Sequence, residues 1–136
     1  DGTTATLLGS AVWFALGIAL YLTTGGALGA LVDRQEEVGS SIAPLSAVAI
    51  VAYLVGVAAP ESAAATVLAY VPFTSPMVMP ARVALGTASV VEIVASIALG
   101  VAAVVLIARL ASVVYRRAIV QTGRKLRLRD VLTARA

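Results

Sequence analysis

The stretch Y-V-P-F-T-S-P-M-V-M-P-A-R-V-A-L-G, residues 70–86, places prolines at positions 72, 76 and 80 of an otherwise apolar run. Each proline removes a backbone N–H donor and clashes with the preceding turn, which costs about 3 kcal/mol inside a helix. A continuous membrane-crossing helix is therefore not expected here. A solvated loop is not expected either, because such loops are rich in polar residues.

The chain as a whole has the composition of a membrane protein. Of its 136 residues, 60% are hydrophobic and 12% are charged, whereas soluble domains carry roughly a quarter charged residues. Cysteine and histidine are both absent, which excludes disulfides, thiolate chemistry, imidazole bases and the usual transition-metal ligands. The sequence begins with Asp1 and lacks a signal-peptide pattern, so we expect it to begin inside a longer protein.

Three segments are long and apolar enough to cross a bilayer, which takes about 20 residues of helix. They cover about residues 7–32, 42–59 and 90–108, and a basic tail, 109–136, follows the last of them. Three crossings place the two ends of the chain on opposite sides of the membrane. The sequence therefore predicts an all-α integral membrane fold.

The connections between these spans carry helix-start signals. The polar segment D-R-Q-E-E-V-G-S-S, residues 33–41, predicts a tight turn, with Ser41 as N-cap of the second span and Pro44 in its first turn. Ser89 and Glu92 have the spacing of a capping box at the start of the last span. Binding of an ion or proton by Glu92 is the alternative to the cap, which we favour.

Lysine and arginine predict the orientation. Seven of the ten lie after Tyr115, and basic residues collect on the cytoplasmic flanks of membrane spans. The C-terminus is therefore predicted inside and the N-terminus outside, so that residues 60–89 lie on the outer side. This rule explains the tail without nucleic acid, and binding of anionic lipid is compatible with it. Arg109, near the inner end of the last span, is expected to snorkel towards the headgroups.

Residues 60–89 are predicted to form two short helical pieces that dip into the outer leaflet and return. This region contains only Glu61 and Arg82 as charged residues. Irregular backbone at membrane depth persists only where it is buried in protein or lines a wet cavity. Thr74, Ser75 and the prolines are placed near the bend. Arg82 is expected among lipid headgroups, and attraction of an anionic substrate is the alternative.

Small residues at helical spacing predict close helix packing. Gly25 and Gly29 form one such pair and Ser96 and Gly100 another. Packing within this chain is the interpretation we favour, and a subunit interface is the alternative.

The cytoplasmic turn permits two interpretations, a solvated turn or a docking site for a cytoplasmic partner. Its charged residues are Asp33, Arg34, Glu36 and Glu37.

Motifs of nucleotide and hydrolytic chemistry are missing from the sequence. It contains no G-x-x-x-x-G-K-[ST] phosphate loop, no G-x-S-x-G nucleophile elbow and no H-E-x-x-H zinc helix. Ser75 has no histidine or cysteine in this chain with which to form a nucleophile site. We therefore expect no catalytic residue, metal or cofactor on this chain.

The block V-P-F-T-S-P-M-V-M-P-A-R, residues 71–82, resembles the P-F-T-S-P-x-x-M-P-x-R segment of bacterial type-2 ABC exporter permeases, in the branch related to sodium-extrusion permeases. Residues 21–37, Y-L-T-T-G-G-A-L-G-A-L-V-D-R-Q-E-E, are similar to that family's helix and acidic cytoplasmic turn. The last span and the basic tail are similar to its final helix and C-terminus.

This resemblance implies that the chain is the C-terminal part of a six-helix permease in the bacterial plasma membrane, with residues 60–89 as a re-entrant hairpin. It also implies a second permease half, identical or not, and a separate ATP-binding cassette subunit that holds ATP and Mg. The hairpin would be an outer gate, with an apolar constriction and a bend fixed by prolines. The residues assigned to this bend or gate are Pro72, Phe73, Thr74, Ser75, Pro76, Met77, Met79, Pro80 and Arg82, of which Phe73, Met77 and Met79 supply the constriction.

Sodium specificity is not carried over, because Glu92 is the only carboxylate in the predicted spans. A non-transporting accessory or assembly subunit of a larger membrane complex is the alternative function. An intramembrane enzyme would need a catalytic pair that the sequence does not contain.

Overall fold

The computed structural model describes residues 2–31 and 35–133, and the described residues form five helices without a strand. These are α1 (Gly2–Leu31), α2 (Gln35–Ala58), α3 (Ala63–Tyr70), α4 (Ser75–Ala84) and α5 (Val90–Thr133). The predicted all-α class is confirmed. Three segments are long and apolar enough to cross a membrane, namely Thr6–Leu31, Gly39–Ala58 and Val90–Arg117.

α1 and α5 run side by side in the same direction. The indole Nε1 of Trp13 donates a hydrogen bond to Ser96 Oγ at 3.1 Å, and further along both helices the Tyr115 hydroxyl lies 3.4 Å from the Gly26 carbonyl oxygen. Between these contacts Gly100 packs on Leu16, because a Cβ added to the glycine would lie 3.2 Å from Leu16 Cδ1. Parallel first and last spans are what an odd number of crossings requires.

α2 differs from the prediction at its start. The helix begins at Gln35, so Ser41 is not its N-cap, and the Ser41 hydroxyl instead donates to the Glu37 carbonyl at 3.0 Å within the helix. Pro44 lies inside α2 rather than in its first turn. The prediction failed because Gln and Glu are good helix formers, and acidic side chains are favourable near a helix N-terminus. The predicted turn over residues 33–41 is therefore mostly helix.

α5 continues well beyond the predicted end of the last span. Its 44 residues make a helix about 66 Å long at about 1.5 Å per residue, against a hydrocarbon core of about 30 Å. The predicted span 90–108 is the first part of this helix, and the basic segment continues from it as helix up to Thr133. Arg109 is exposed on its surface.

The core of the chain lies where α3 and α4 meet the spans. Its buried apolar side chains come from all of α1 to α4, and Ile93 and Ile97 of α5 pack against them. The members of this cluster are Trp13, Ala52, Ala65, Ala69, Val78 and Met79. The two short helices are thus part of the hydrophobic core rather than an appendage of it.

Candidate functional site: the hairpin between the second and third spans

α3, α4 and the residues between them form a helical hairpin, residues 63–84, and its turn bonds to itself. α3 begins at the N-cap Ser62, whose hydroxyl oxygen accepts from Ala65 N at 3.1 Å. In the turn, Thr74 Oγ1 donates to the Leu68 carbonyl at 2.6 Å, and Ser75 N donates to the Val71 carbonyl at 2.8 Å. The bend near Thr74 and Ser75 therefore satisfies much of its own backbone, as non-helical backbone away from water requires.

The three prolines occupy different positions. Pro72 lies in the turn, Pro76 is the second residue of α4 and Pro80 lies inside α4. Proline is tolerated in the first turn of a helix, because the N–H groups there have no intrahelical partner. Pro80 lacks the N–H group that would bond to the Pro76 carbonyl one turn earlier in α4. Only Pro80 imposes the full cost of a proline in a helix interior.

α1 packs against the turn end of the hairpin, where Phe73 and Pro76 lie. The Tyr21 hydroxyl donates to the Phe73 carbonyl at 2.8 Å, and the two rings meet edge to face with centroids 5.8 Å apart. One turn earlier, Gly17 lies against Pro76, so that an added Cβ would lie 2.9 Å from Pro76 Cβ. Close approach of the two helices therefore depends on glycine at position 17.

α2 holds the opposite side of α4. A Cβ added to Gly56 would lie 3.1 Å from Val78 Cα and 3.3 Å from the Met77 carbonyl oxygen. The backbones of α2 and α4 therefore touch at this point. Neither Gly17 nor Gly56 belonged to a predicted packing pair, because the partner of each lies in another helix rather than four residues away in its own.

The predicted packing residues have different surroundings. Ser96 and Gly100 both face α1, through Trp13 and Leu16. A Cβ on Gly25 would make an ordinary contact of 3.9 Å with Ile42, and a Cβ on Gly29 would meet nothing within 4 Å. The interpretation of Gly29 as a packing residue within this chain is therefore wrong for the described residues.

The residues assigned to an apolar constriction are not equally accessible. Met79 is fully enclosed in the core, whereas Phe73 and Met77 are partly exposed. Thr74, Ser75 and Pro76 are buried. The turn end of the hairpin is therefore mostly covered by other residues of this chain.

Arg82 is buried, which corrects its expected place among lipid headgroups. Its side chain is 4% exposed and forms an ion pair with Glu92, with Nη2 and Oε2 3.0 Å apart. Nη1 donates to the Pro60 carbonyl, and Nη2 also donates to the Thr87 carbonyl at 3.4 Å. The guanidinium donates to groups of this chain because burial of a cation is costly without a counter-charge and hydrogen bonds.

The loop after α4 is built around Gly86. This residue has φ +69°, a conformation that glycine adopts without strain. Gly86 N donates to the Val83 carbonyl at 3.1 Å and Thr87 N donates to the Arg82 carbonyl at 2.9 Å, the two bonds of a Schellman motif. This C-cap turns the chain so that the Thr87 carbonyl reaches the Arg82 side chain.

The predicted capping box is confirmed. Glu92 N donates to Ser89 Oγ at 3.2 Å, and Ser89 N donates to Glu92 Oε2 at 3.0 Å. The second partner of Glu92, Arg82, was not predicted from the sequence. The sequence did contain a signal for this pairing, because Arg82, Glu92 and Glu61 are the only charged residues between positions 38 and 108.

Two residues of the predicted cytoplasmic turn, Glu36 and Glu37, belong to the first turn of α2. Glu37 is exposed, and its carbonyl accepts from the hydroxyls of Ser40 and Ser41. Asp33, Arg34 and the side chain of Glu36 lie outside the described residues. Among the described residues, no group of three or more acidic, histidine or cysteine side chains could hold a metal ion.

Three apolar helices of membrane-crossing length, with two short helices packed among them, define a multi-pass membrane protein. The chain belongs to the ABC-2 transporter family, because the family model described as "ABC-2 family transporter protein" matches residues 3–113. The chain is therefore a transmembrane part of an ABC-2 family transporter protein.

One curated relative is an uncharacterized protein of Bacillus subtilis strain 168, YhaP, which is 33% identical over 86 residues. The alignment covers 61% of this chain and 20% of the relative, so the chain spans about a fifth of that protein. No solved structure matches the chain.

Proposed function

We propose that this chain is the C-terminal part of a permease that forms the substrate pathway of a bacterial ABC exporter. A separate ATP-binding subunit drives it from the cytoplasmic side, and a second permease half completes the pathway. The chain lies in the plasma membrane with its N-terminal end outside and its basic C-terminal helix in the cytoplasm. Membership of the ABC-2 family and the arginines at the end of the last span support this arrangement.

The observation that carries the proposal is the contact between Tyr21 and Phe73, which joins the turn of the hairpin to a point well inside the first candidate span. Tyr21, which bonds to the Phe73 carbonyl, is fifteen residues beyond the start of the Thr6–Leu31 span. Fifteen residues of helix rise about 22 Å, which is more than half of a hydrocarbon core about 30 Å thick. This distance favours a hairpin that enters the membrane over one that lies on its surface.

The hairpin then acts as an outer gate. ATP-driven movement of the two permease halves would separate α1 from α4, and the Tyr21–Phe73 contact would open. Phe73 and Met77 supply the apolar surface that faces the pathway, because both are partly exposed. Met79 is buried in the core that the hairpin shares with α1 and α2, so in this conformation it does not face the pathway.

Sodium is not proposed as the substrate. Glu92 is the only carboxylate within the three candidate spans, and it already accepts from Arg82 and Ser89. A site for a bare cation would need oxygen ligands that are free to bind it.

Co-purification tests the proposal. The full-length protein, tagged and extracted from its native membrane in mild detergent, should carry with it a protein with a Walker motif, identified by mass spectrometry. The complex should hydrolyse ATP in a vanadate-sensitive manner. A preparation that lacks an ATP-binding subunit and contains other membrane proteins instead would favour an accessory subunit.

A further inference from the structure

Arg82 joins three segments that are distant in sequence. Its side chain lies on α4, its bond to the Pro60 carbonyl reaches the α2–α3 connection, and its pairing with Glu92 reaches the first turn of α5. The bond to the Thr87 carbonyl adds the α4–α5 loop. Both ends of the hairpin are therefore tied to one guanidinium.

The two ends of α4 are held by different forces. At the end near the turn, the contacts are a neutral hydrogen bond from Tyr21 and apolar packing on Gly17. At the other end of α4, near Arg82, the contacts depend on the Arg82–Glu92 pair, whose side chains are 4% and 14% exposed. Loss of one partner of a buried ion pair is strongly destabilising, whereas the intact pair contributes little compared with apolar residues of the same size. Such a pair is better suited to hold a conformation than to raise overall stability.

We propose that the Arg82–Glu92 pair is a latch that holds the hairpin closed and keeps water from the turn at Ser75. When the pair separates, the tie to Pro60 and the tie to α5 are both weakened, and the hairpin can tilt away from α1. The significance of the latch rests on the proposed function, in which the hairpin is a gate. Its existence is tested without any transport assay.

Ser75 offers a probe for this movement. It is 2% exposed, and its Oγ has no hydrogen-bond partner in the described part of the chain. Substitution Ser75→Cys therefore removes no hydrogen bond seen in the structure and changes the size of the side chain little. The chain has no cysteine of its own. Once cysteines elsewhere in the full-length protein are replaced, the new thiol is the only thiol that can react.

The experiment measures how fast N-ethylmaleimide reacts with the thiol of the Ser75→Cys variant in membrane vesicles that contain the full-length protein. Glu92→Gln removes the negative charge but keeps a capping-box acceptor, because Gln serves at this position as well as Glu. The double variant Arg82→Met with Glu92→Gln removes the latch without leaving an unpaired charge. Glu61→Gln is the matched control, since Glu61 is an exposed carboxylate in the α2–α3 connection.

We expect both latch variants, each built on Ser75→Cys, to react about tenfold faster or more, because the rate follows the population of the open form. The Glu61→Gln control should react at the rate of Ser75→Cys alone. Far-UV circular dichroism of the purified proteins checks the fold, since a tilt of the hairpin leaves its helices intact, whereas unfolding does not.

Equal reaction rates in all four proteins would overturn the latch. It would also be overturned if Glu92→Gln reacted fast but the double variant reacted as slowly as Ser75→Cys alone. In that case Glu92 would only neutralise Arg82, and the pair would not hold the hairpin. Failure of the proposed function would instead appear as the absence of an ATP-binding subunit, whatever the reaction rates.

Discussion

Trp13 is the only tryptophan of the chain and lies 2% exposed between α1 and α5. Its indole N–H reaches Ser96 Oγ, and the Ser96 hydroxyl donates to the Ile93 carbonyl at 3.0 Å. A buried donor that loses its acceptor retains its full desolvation cost. This residue pair therefore offers a direct measurement of how strongly the first and last spans are joined.

Ser96→Ala should lower the free energy of unfolding by about 1–2 kcal/mol, since hydrogen bonds between membrane helices fall near the lower part of the range for buried groups. The measurement is unfolding by SDS in mixed micelles, followed by far-UV circular dichroism. Ser112→Ala is the control, because Ser112 is exposed and its hydroxyl donates to the Arg109 carbonyl of its own helix. Fully additive effects of Trp13→Phe and Ser96→Ala in the double variant would contradict the coupling.

Gly17 and Gly29 form a matched pair on α1. Gly17→Ala should destabilise the protein by about 1–3 kcal/mol, the usual cost of forcing an extra methyl group into a packed core. The new Cβ would lie 2.9 Å from the Pro76 ring, whereas a Cβ at position 29 would meet nothing within 4 Å. Gly29→Ala should therefore leave stability unchanged or raise it, as helix propensity predicts. The same SDS titration measures both, and equal effects would show that α1 and α4 do not pack at Gly17.

At the scale of elements, the hairpin forms because its sequence is apolar enough to be buried but contains prolines that prevent one continuous helix. Apolar side chains place α3 and α4 in the core, and Pro72 with the Thr74 hydroxyl ends one helix before the next begins. Pro76 has a second role, because its ring fills the groove left by Gly17. Helix breaking and helix packing are therefore functions of the same residue.

Pro76→Ala should impair export while leaving association with the ATP-binding subunit intact. The substitution removes the ring atoms that pack on Gly17, so α4 loses its close contact with α1. Complementation of a deletion strain measures export, and co-purification measures association. Pro44→Ala is the control, because Pro44 is an exposed proline inside α2 and lies outside the hairpin. Full complementation by Pro76→Ala would exclude the hairpin as a gate.

At the scale of the whole molecule, the proposed orientation makes a prediction about labelling. Single cysteines are introduced at Glu61, in the α2–α3 connection, and at Glu37, near the start of α2, both of which are exposed. In intact cells a membrane-impermeant maleimide should label position 61, and position 37 should be labelled only after permeabilisation, because basic flanks stay in the cytoplasm. The reverse pattern would invert the topology and place the hairpin on the cytoplasmic side.

The sequence alone determined the membrane class, the number of spans, the Ser89–Glu92 cap and the break near Pro72, whereas α4 continues through Pro76 and Pro80. These properties depend on composition, length and local spacing, so neighbouring residues are sufficient to specify them. The start of α2 was also a local property, but we predicted it wrongly. The run of polar residues suggested a turn, whereas the helix propensity of Gln and Glu favours a helix.

Only the tertiary structure decided which residues meet. Gly17 with Pro76, Gly56 with Val78, and Trp13 with Ser96 come from different helices, and no local pattern encodes the rotation of one helix against another. Arg82 illustrates the difference most clearly. The sequence predicted that it lies among lipid headgroups, with attraction of an anionic substrate as the alternative. The fold buries it, and a buried guanidinium requires a counter-charge, so its pairing with Glu92 follows from packing rather than from sequence.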